Sequence, residues 1–245
     1  MKKLLFILLL LTGCTSFEMP ADFEARQVET GGFDISVWQK ISNPQGLYYV
    51  YIEGDGNAFN AHGLPTSDPT PKSSFMRELA AENISENVVY VARPCQFSKG
   101  KRCEQKYWTD ARFAPEVVEA EYQAIKAVVG NAPVVLVGYS GGAQIAGLIA
   151  VNKDLNVMKV VTIAGNLNHE TWSGYHNLPA LTQSLNLADY KDKFLTIKQV
   201  HYVGEDDEVV PPALTKEFVG NQKTIRTVPN ATHDKGWDKL QISTD

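Results

Sequence analysis

The sequence predicts an α/β fold, in which a mostly parallel sheet carries helices on both faces. Short apolar runs such as residues 133–137 and 159–164 alternate with amphipathic stretches along the chain. Strands without polar alternation are typical of a parallel sheet that is covered on both sides. The length of 245 residues and a hydrophobic content of 44% fit one such domain. The chain shows no internal repeat, and we expect no second folded domain.

Each element follows from its own pattern. Tyr, Val and Ile dominate the predicted strands, which are residues 47–53, 87–92, 133–137, 159–164, 197–203 and 223–228. Helical periodicity or composition places helices at residues 72–82, 115–129, 144–152 and 214–219. Pro115 and Gly130 are typical start and stop signals for the second of these helices. The irregular stretch 165–193 is the predicted place for a small lid.

The first residues have the pattern of an export signal. Lys2 and Lys3 precede an apolar run at residues 4–11, which is too short to span a bilayer. The run ends in a Leu-Thr-Gly-Cys sequence that resembles a bacterial lipobox, so Cys14 is the expected lipidation site. Multiple acyl chains would anchor the chain firmly. An ordinary signal peptide with an incidental cysteine is the alternative.

The chain is therefore divided into a lipoprotein signal peptide (1–13), a lipidated tether (14–30) and a folded domain (31–245). By resemblance to lipoproteins, Thr15 after the cysteine favours the outer membrane, with the domain facing the periplasm. The formal net charge is −5, and nothing indicates a nucleic-acid partner. The oligomeric state is left open.

The other two cysteines, Cys95 and Cys103, are predicted to form a disulfide, because an exported chain folds in an oxidising compartment. Two free thiols are the alternative, and a metal site lacks further ligands nearby. Loops that follow strands line the ligand crevice of an open parallel sheet. We therefore expect the bridge beside the rim of the site, where it would fix one wall of the substrate pocket.

Residues 138–142 read Gly-Tyr-Ser-Gly-Gly between a predicted strand and a predicted helix. This is the G-x-S-x-G pattern in the strand–turn–helix context that it requires. Small flanking residues allow a tight turn that projects the hydroxyl of Ser140 above the sheet. The N–H groups at the start of the helix point to the place where negative charge develops in acyl transfer. Ser140 is thus the candidate nucleophile, and a glycine-rich turn in an inactive protein is the alternative.

A serine nucleophile needs a base, and the base needs a carboxylate to orient it. His233 lies in a loop beyond the last predicted strand and is the candidate base. His201 falls inside a strand and is interpreted as structural. The acidic stretch that follows residues 197–203 supplies the third group, for which we select Asp207 and keep Asp206 as the alternative. The order Ser, Asp, His is the order that this strand–turn–helix motif predicts.

The second oxyanion donor is expected after an early strand. There Glu53, Gly54 and Asp55 form a turn, and the N–H of Asp55 is the candidate donor beside that of Gly141. A simple glycine turn and a cation site at the Asp-Gly-Asn sequence are the alternatives. No other metal site and no cofactor is predicted.

Together these motifs resemble the α/β-hydrolase superfamily over nearly the whole mature chain. This resemblance rests on residues 138–142, on the Gly204-x-x-Asp207-x-x-Val210-Pro211 turn, and on Thr232 with His233. The chain also resembles a less characterised bacterial subgroup, through residues 51–56, 93–96, 107–109, 112–113 and 164–167. Glu53 departs from the His-Gly turn of many esterases.

The resemblance implies the fold and the mechanism class only. The leading hypothesis is a serine hydrolase that acts on an ester, thioester or amide of a small-molecule acyl substrate, with a carboxylic ester as the first expectation. A peptidase with the same groups is one alternative. A non-catalytic envelope protein that binds a ligand on the same fold is the other.

Overall fold

The computed structural model describes residues 17–220 and 222–242, so the predicted signal peptide and Cys14 lie outside the described residues. One eight-stranded sheet forms its centre, in the order β1-β2-β4-β3-β5-β6-β7-β8. The strands are β1 (Glu24–Thr30), β2 (Phe33–Ile41), β3 (Tyr48–Ile52), β4 (Asn87–Val91), β5 (Val134–Tyr139), β6 (Val157–Ile163), β7 (Gln199–Gly204) and β8 (Ile225–Val228). The six strands from β3 to β8 pair in parallel, as predicted.

Helices cover both faces of this sheet. They are α1 (Phe75–Glu82), α2 (Pro115–Val129), α3 (Gly141–Asn152), α4 (His169–Tyr175), α5 (Lys191–Phe194) and α6 (Pro212–Val219). Helices α2 and α3 pack on one face, and α1 packs on the other together with the segment that contains Trp237. The predicted class, a mostly parallel sheet between helices, is confirmed.

Alternation along β3 shows how the two faces are filled. Tyr48, Val50 and Ile52 point into the core under α2 and α3, whereas Tyr49 and Tyr51 point into the core under α1. All five side chains are buried. A strand that is buried on both faces reads as a continuous apolar run, which is why its sequence alone identified it.

The N-terminal boundary of the domain was wrong. The expected tether 14–30 ends earlier, because Glu24–Thr30 forms the edge strand β1 and pairs antiparallel with β2. Most β1 side chains are exposed, as suits an edge strand. Its polar composition resembles that of a linker, but Gly31 and Gly32, both with positive φ, form the two-residue turn of a β1–β2 hairpin, a local signal that the sequence analysis missed.

Several predicted boundaries shifted by two or three residues, among them the start of α3, at Gly141 rather than at residue 144, and the starts of α1 and β8. Helix α1 begins at Phe75 rather than at residue 72; ahead of it, Ser73 Oγ accepts the Phe75 N–H at 3.2 Å in a local turn that precedes the helix. Strand β8 begins at Ile225, because Gln222–Thr224 forms a 3₁₀ turn.

The stretch 165–193, predicted to hold a lid, packs onto the domain. It contains α4, a 3₁₀ turn at Leu187–Tyr190 and part of α5. Leu187, near its C-terminal end, and Phe194, directly after it, are fully buried in the core. Only its α4 portion reaches the cleft described below.

The chain order places a crevice at one edge of the sheet. After β3 the chain crosses to β4 on one side, and it later returns to β5 on the other side of β3. Such a switch of direction opens a crevice at the carboxyl ends of the two strands. Ile52 of β3 pairs there with Gly138 of β5. Within the described residues, none of the helices has the length and apolar character of a bilayer-spanning segment.

Candidate active site

Ser140 occupies a sharp turn between β5 and α3. Its φ of 50° lies in the left-handed region, which a residue with a side chain rarely adopts. The Ser140 N–H donates to the carbonyl of Ile163 at 3.0 Å, and its carbonyl accepts the N–H of Asn166 at 3.1 Å. These bonds to the end of β6 hold the strained turn, and such strain is typical of functional sites.

Two glycines make this turn sterically feasible. A Cβ on Gly142 would lie 2.4 Å from the carbonyl oxygen of Glu53, and a Cβ on Gly138 would lie 2.5 Å from that of Gly142. Both obstacles are backbone atoms, which cannot move aside cheaply. The glycines of the motif are therefore required for close packing between β3, β5 and the start of α3.

His233 contacts both Ser140 and Asp207. Its Nε2 lies 3.0 Å from Ser140 Oγ, and its Nδ1 lies 3.0 Å from Asp207 Oδ2. The carbonyl of His233 accepts hydrogen bonds from Tyr139 Oη at 3.1 Å and from Trp237 Nε1 at 3.2 Å. The ring of Tyr139 also packs on the imidazole, with 5.3 Å between centroids. The imidazole is thus fixed between the hydroxyl and the carboxylate.

Burial separates the two candidate aspartates. Asp207 is 3% exposed, and its Oδ1 accepts the N–H groups of Val209 and Val210 at 2.9 and 2.8 Å. Asp206 is exposed, and its backbone N–H donates to the carbonyl of Ala231 at 2.9 Å. Of the two, the structure places Asp207 against His233.

The arrangement supports proton transfer from the serine. A carboxylate only accepts hydrogen bonds, so the proton on the His233 ring must lie on Nδ1. Nε2 then carries a free lone pair, which faces Ser140 Oγ and can accept its proton. The carboxylate of Asp207 would stabilise the imidazolium that results.

The turn after β3 lies beside Ser140. A Cβ on Gly54 would lie 3.2 Å from the Cβ of Ser140. Glu53 is buried, and its carboxylate accepts the N–H of Gly54 and the hydroxyl of Tyr90, each at 2.8 Å. Burial raises the pKa of Glu53, and these two hydrogen bonds oppose the rise. Glu53 therefore stabilises the turn that carries Asp55 from the buried side.

The carboxylate of Asp55 is bound by arginines, which excludes the alternative of a cation site there. Arg93 Nη1 lies 3.2 Å from Oδ1, and Arg112 Nη1 lies 3.0 Å from Oδ2. Two guanidinium groups in these positions would repel a cation. Among the described residues, no group of His, Cys, Asp and Glu side chains has the arrangement of a metal site.

A cleft of about 480 Å³ opens over Ser140 and His233. This volume is within the range of small-molecule sites. Its apolar lining comes from Ala58, Phe59, Phe75, Met76, Trp172 and Val209. Lys72, Arg112 and Asp234 add charge at its edges. Trp172 comes from α4, and its Nε1 donates to the carbonyl of Val209 at 2.6 Å, so α4 forms part of the wall.

Cys95 and Cys103 form a disulfide, with their Cα atoms 5.5 Å apart. Its expected position was wrong, since neither cysteine lines the cleft. Cys95 is buried in the core under α2. The bridged segment contacts the site on its buried side, where Gln96 Nε2 donates to the carbonyl of Gly54 at 3.0 Å. It supports the Glu53–Asp55 turn rather than a wall of the pocket.

A family model described as serine hydrolase (FSH1) matches residues 36–235. The chain belongs to the FSH1 serine hydrolase family. It is thus assigned to the serine hydrolases as a class. No curated protein matches it in a sequence search.

Solved structures similar to this FSH1 family member are α/β hydrolases. An α/β hydrolase from Novosphingobium aromaticivorans has a TM-score of 0.60 at 11% identity, over 90% of this chain and 95% of that one. A serine hydrolase without a lid from Xanthomonas campestris has a TM-score of 0.52 at 12% identity, over 89% and 88%. A serine hydrolase homologue from Coxiella burnetii has a TM-score of 0.54 at 16% identity, over 89% of this chain and 92% of that one. At these identities the similarity shows the fold.

Sequence reasoning missed several residues around the site of this FSH1 family member. Arg93 and Arg112 stood out only as features of the resemblance, without a role. Tyr139 was noted only as the variable position of the motif, although it contacts both the ring and the carbonyl of His233. Trp172 was included only as part of the predicted lid. No local pattern indicates these contacts, because each joins residues that are far apart in the chain.

Proposed function

We propose that this protein is an acyl hydrolase that acts through Ser140, His233 and Asp207 on a carboxylic ester of a small molecule. One observation carries the proposal. The imidazole of His233 lies 3.0 Å from Ser140 Oγ on one side and 3.0 Å from Asp207 Oδ2 on the other. Nucleophile, base and orienting carboxylate within hydrogen-bond distance are the signature of covalent acyl transfer.

In the first half of the reaction, Ser140 Oγ attacks the acyl carbon while its proton moves to His233 Nε2. The tetrahedral intermediate collapses, His233 donates that proton to the leaving oxygen, and an acyl-enzyme on Ser140 remains. In the second half, water attacks the acyl carbon and gives a proton to His233. The proton returns to Ser140 as the acid product leaves, so the protein ends unchanged.

The proposed oxyanion donors are the N–H groups of Gly141 and Asp55. Gly141 is the first residue of α3, so its N–H lies at the positive end of the helix dipole. The turn that carries Asp55 packs against Ser140 through Gly54. Removing one such donor lowers kcat by about 10²–10³-fold in other serine enzymes.

An ester or thioester of a small acyl group suits the cleft better than a peptide. The cleft is lined by the aromatic side chains of Phe59, Phe75 and Trp172 and has the volume of a small-molecule pocket. A peptidase normally needs room for an extended chain on both sides of the scissile bond. Hydrolysis of an aminoacyl amide faster than of any ester would favour the peptidase.

Labelling and turnover test the proposal together. The protein is treated with a fluorophosphonate probe and then assayed with p-nitrophenyl esters of increasing acyl length and with aminoacyl p-nitroanilides. We expect the wild type to be labelled and to hydrolyse short esters, and Ser140→Ala to do neither. Absence of both labelling and turnover in the folded wild type would favour the non-catalytic binding protein.

We also propose that Cys14 carries lipid and anchors the protein to the outer membrane, facing the periplasm. The support is the sequence of residues 4–14 for lipidation and Thr15 after the cysteine for the outer membrane. Cys14→Ser should abolish incorporation of radioactive palmitate and release the protein from the membrane fraction. A Cys14→Ser protein that still carries the label would contradict lipidation at this residue.

A further inference from the structure

The candidate oxyanion turn is held by side chains from a single distant connection, residues 93–114. Arg93 Nη1 lies 3.2 Å from Asp55 Oδ1, and Arg112 Nη1 lies 3.0 Å from Asp55 Oδ2. The two guanidinium side chains are only 5% and 7% exposed. Each therefore interacts with the carboxylate in surroundings where solvent screens little.

The arginines are themselves fixed. Arg93 Nε donates to Glu121 Oε1 at 2.5 Å, and Arg93 Nη2 donates to the carbonyl of Arg112. The guanidinium of Arg112 lies over the rings of Phe113 and Trp172, 5.8 and 5.7 Å from their centroids. These contacts restrict both guanidinium groups, so both can hold the Asp55 carboxylate in one position.

The same connection also holds the backbone of the turn. Gln96 Nε2 donates to the carbonyl of Gly54 at 3.0 Å, and Gln96 Oε1 accepts the N–H of Arg93 at 3.0 Å. The peptide unit between Gly54 and Asp55 contains that carbonyl and the N–H of Asp55. Gln96 therefore holds this peptide unit at the carbonyl oxygen of Gly54, and the two arginines hold it through the side chain of Asp55.

The clamped carboxylate lies directly over the first residue of α3. A Cβ on Gly141 would lie 2.1 Å from Asp55 Oδ1. An uncompensated carboxylate so close to the serine would repel a negatively charged tetrahedral intermediate. Arg93 and Arg112 offset that charge while they hold the side chain in place.

We propose that Arg93 and Arg112 are positioning residues for the oxyanion hole, acting through the carboxylate of Asp55. They aim the N–H of Asp55 at the oxygen of the tetrahedral intermediate and offset the charge of its side chain. This inference rests on the proposed function, since it assigns a role in that same reaction. Neither arginine is required to touch the substrate.

The test uses Arg112, because Arg93 is bound to the buried Glu121 and its loss would disturb the core. We compare Arg112→Met with Arg112→Lys, which retains the charge. The substrates are a p-nitrophenyl ester and the matching thionoester, whose sulfur is a poorer hydrogen-bond acceptor. An intact oxyanion hole favours the oxygen ester, so the ratio of the two rates reports on the hole itself.

We expect Arg112→Met to lower kcat by about 10–100-fold, the loss typical of a misplaced catalytic group, with KM changed by less than about threefold. The oxygen-to-sulfur rate ratio should fall, and Arg112→Lys should recover part of both losses. Arg102→Met is the matched control, because Arg102 belongs to the same connection but pairs with Glu116 at 3.3 Å outside the cleft. It should keep the wild-type ratio.

Three results would overturn the inference: an unchanged kcat, a higher KM alone, or a lower kcat with an unchanged oxygen-to-sulfur ratio. A higher KM alone would mean that Arg112 binds the substrate directly. If Arg112→Met does not fold, Arg112→Gln, which restores a hydrogen-bond donor without charge, decides by the same measurements. A wild type without Ser140-dependent turnover would overturn the proposed function and the inference with it, whereas normal turnover in all Arg112 variants would overturn the inference alone.

Discussion

Replacing Asp207 by asparagine should inactivate the protein through the tautomer of His233. Asp207 Oδ1 accepts the N–H groups of Val209 and Val210, so the amide oxygen of an asparagine must take that position. Its NH₂ then faces His233 Nδ1, where the carboxylate oxygen lies 3.0 Å away in the wild type. A donor at this point requires Nδ1 to accept, which moves the ring proton to Nε2. Nε2 can then no longer take the proton of Ser140.

The size of the effect follows from the loss of the base. The corresponding change in a Ser-His-Asp protease lowers kcat by about 10⁴-fold, and that factor corresponds to about 5.4 kcal/mol in the activation free energy. The two backbone hydrogen bonds survive, so the melting temperature should change little. Steady-state kinetics on a p-nitrophenyl ester and thermal unfolding measure both effects.

Asp206→Asn is the matched control, since Asp206 is the exposed neighbour of Asp207. It should retain kcat within about twofold, as surface substitutions usually do. A loss of less than tenfold in Asp207→Asn, or equal losses in both variants, would refute the reasoning and reopen the choice of the acid.

The other predictions concern stability. Cys95→Ser should lower the free energy of unfolding, measured by chemical denaturation, by about 2.5 kcal/mol on the chain-entropy account. It should also lower kcat more than it raises KM, because the bridged segment supports the Gly54 turn, and a KM that rises more than kcat falls would contradict this. Burial lowers the pKa of His201 to about 4, so the unfolded chain binds a proton at a higher pH than the folded chain does. The contribution of His201 to stability should be full above pH 6.5 and should fall by about 3 kcal/mol as the pH falls to about 4. In urea unfolding at a series of pH values, His201→Gln should flatten this part of the curve, and an unchanged slope would contradict the assignment. Gly142→Ala should lower stability by about 1–3 kcal/mol through its clash with the backbone, whereas Gly174→Ala, where a Cβ meets nothing within 4 Å, should not; equal melting temperatures would contradict the packing argument.

The sequence predicted best what local patterns determine. The turn at Ser140 was identified because a strand, two glycines and a helix follow one another directly. The six parallel strands were identified because burial on both faces leaves a continuous apolar run. His201 was interpreted as structural, and both of its ring nitrogens contact neighbouring side chains, Thr162 at 2.8 Å and Gln199 at 2.7 Å.

The sequence analysis failed mainly for contacts between residues that are far apart in the chain. One element was missed despite a local signal: the polar strand β1 resembles a linker, although Gly31 and Gly32 directly after it are typical of the two-residue hairpin turn that joins it to β2. Asp207 was selected, but Asp206 had to be kept as the alternative, because composition does not show which of the two side chains the turn directs inward. The ion pairs of Arg93 and Arg112 with Asp55 join residues 38 and 57 positions apart, so no spacing rule finds them.

Detection of an acyl group on Ser140 tests the central claim most directly. The protein is mixed with a short p-nitrophenyl ester, quenched in acid within the first turnovers, digested and analysed by mass spectrometry. His233→Ala, which keeps the hydroxyl but lacks the base, is the matched control. We expect the mass of the acyl group on the peptide that contains Ser140 in the wild type, and none in the control. Turnover by a wild type whose acyl group sits on another residue, or undiminished turnover in Ser140→Ala, would contradict the account.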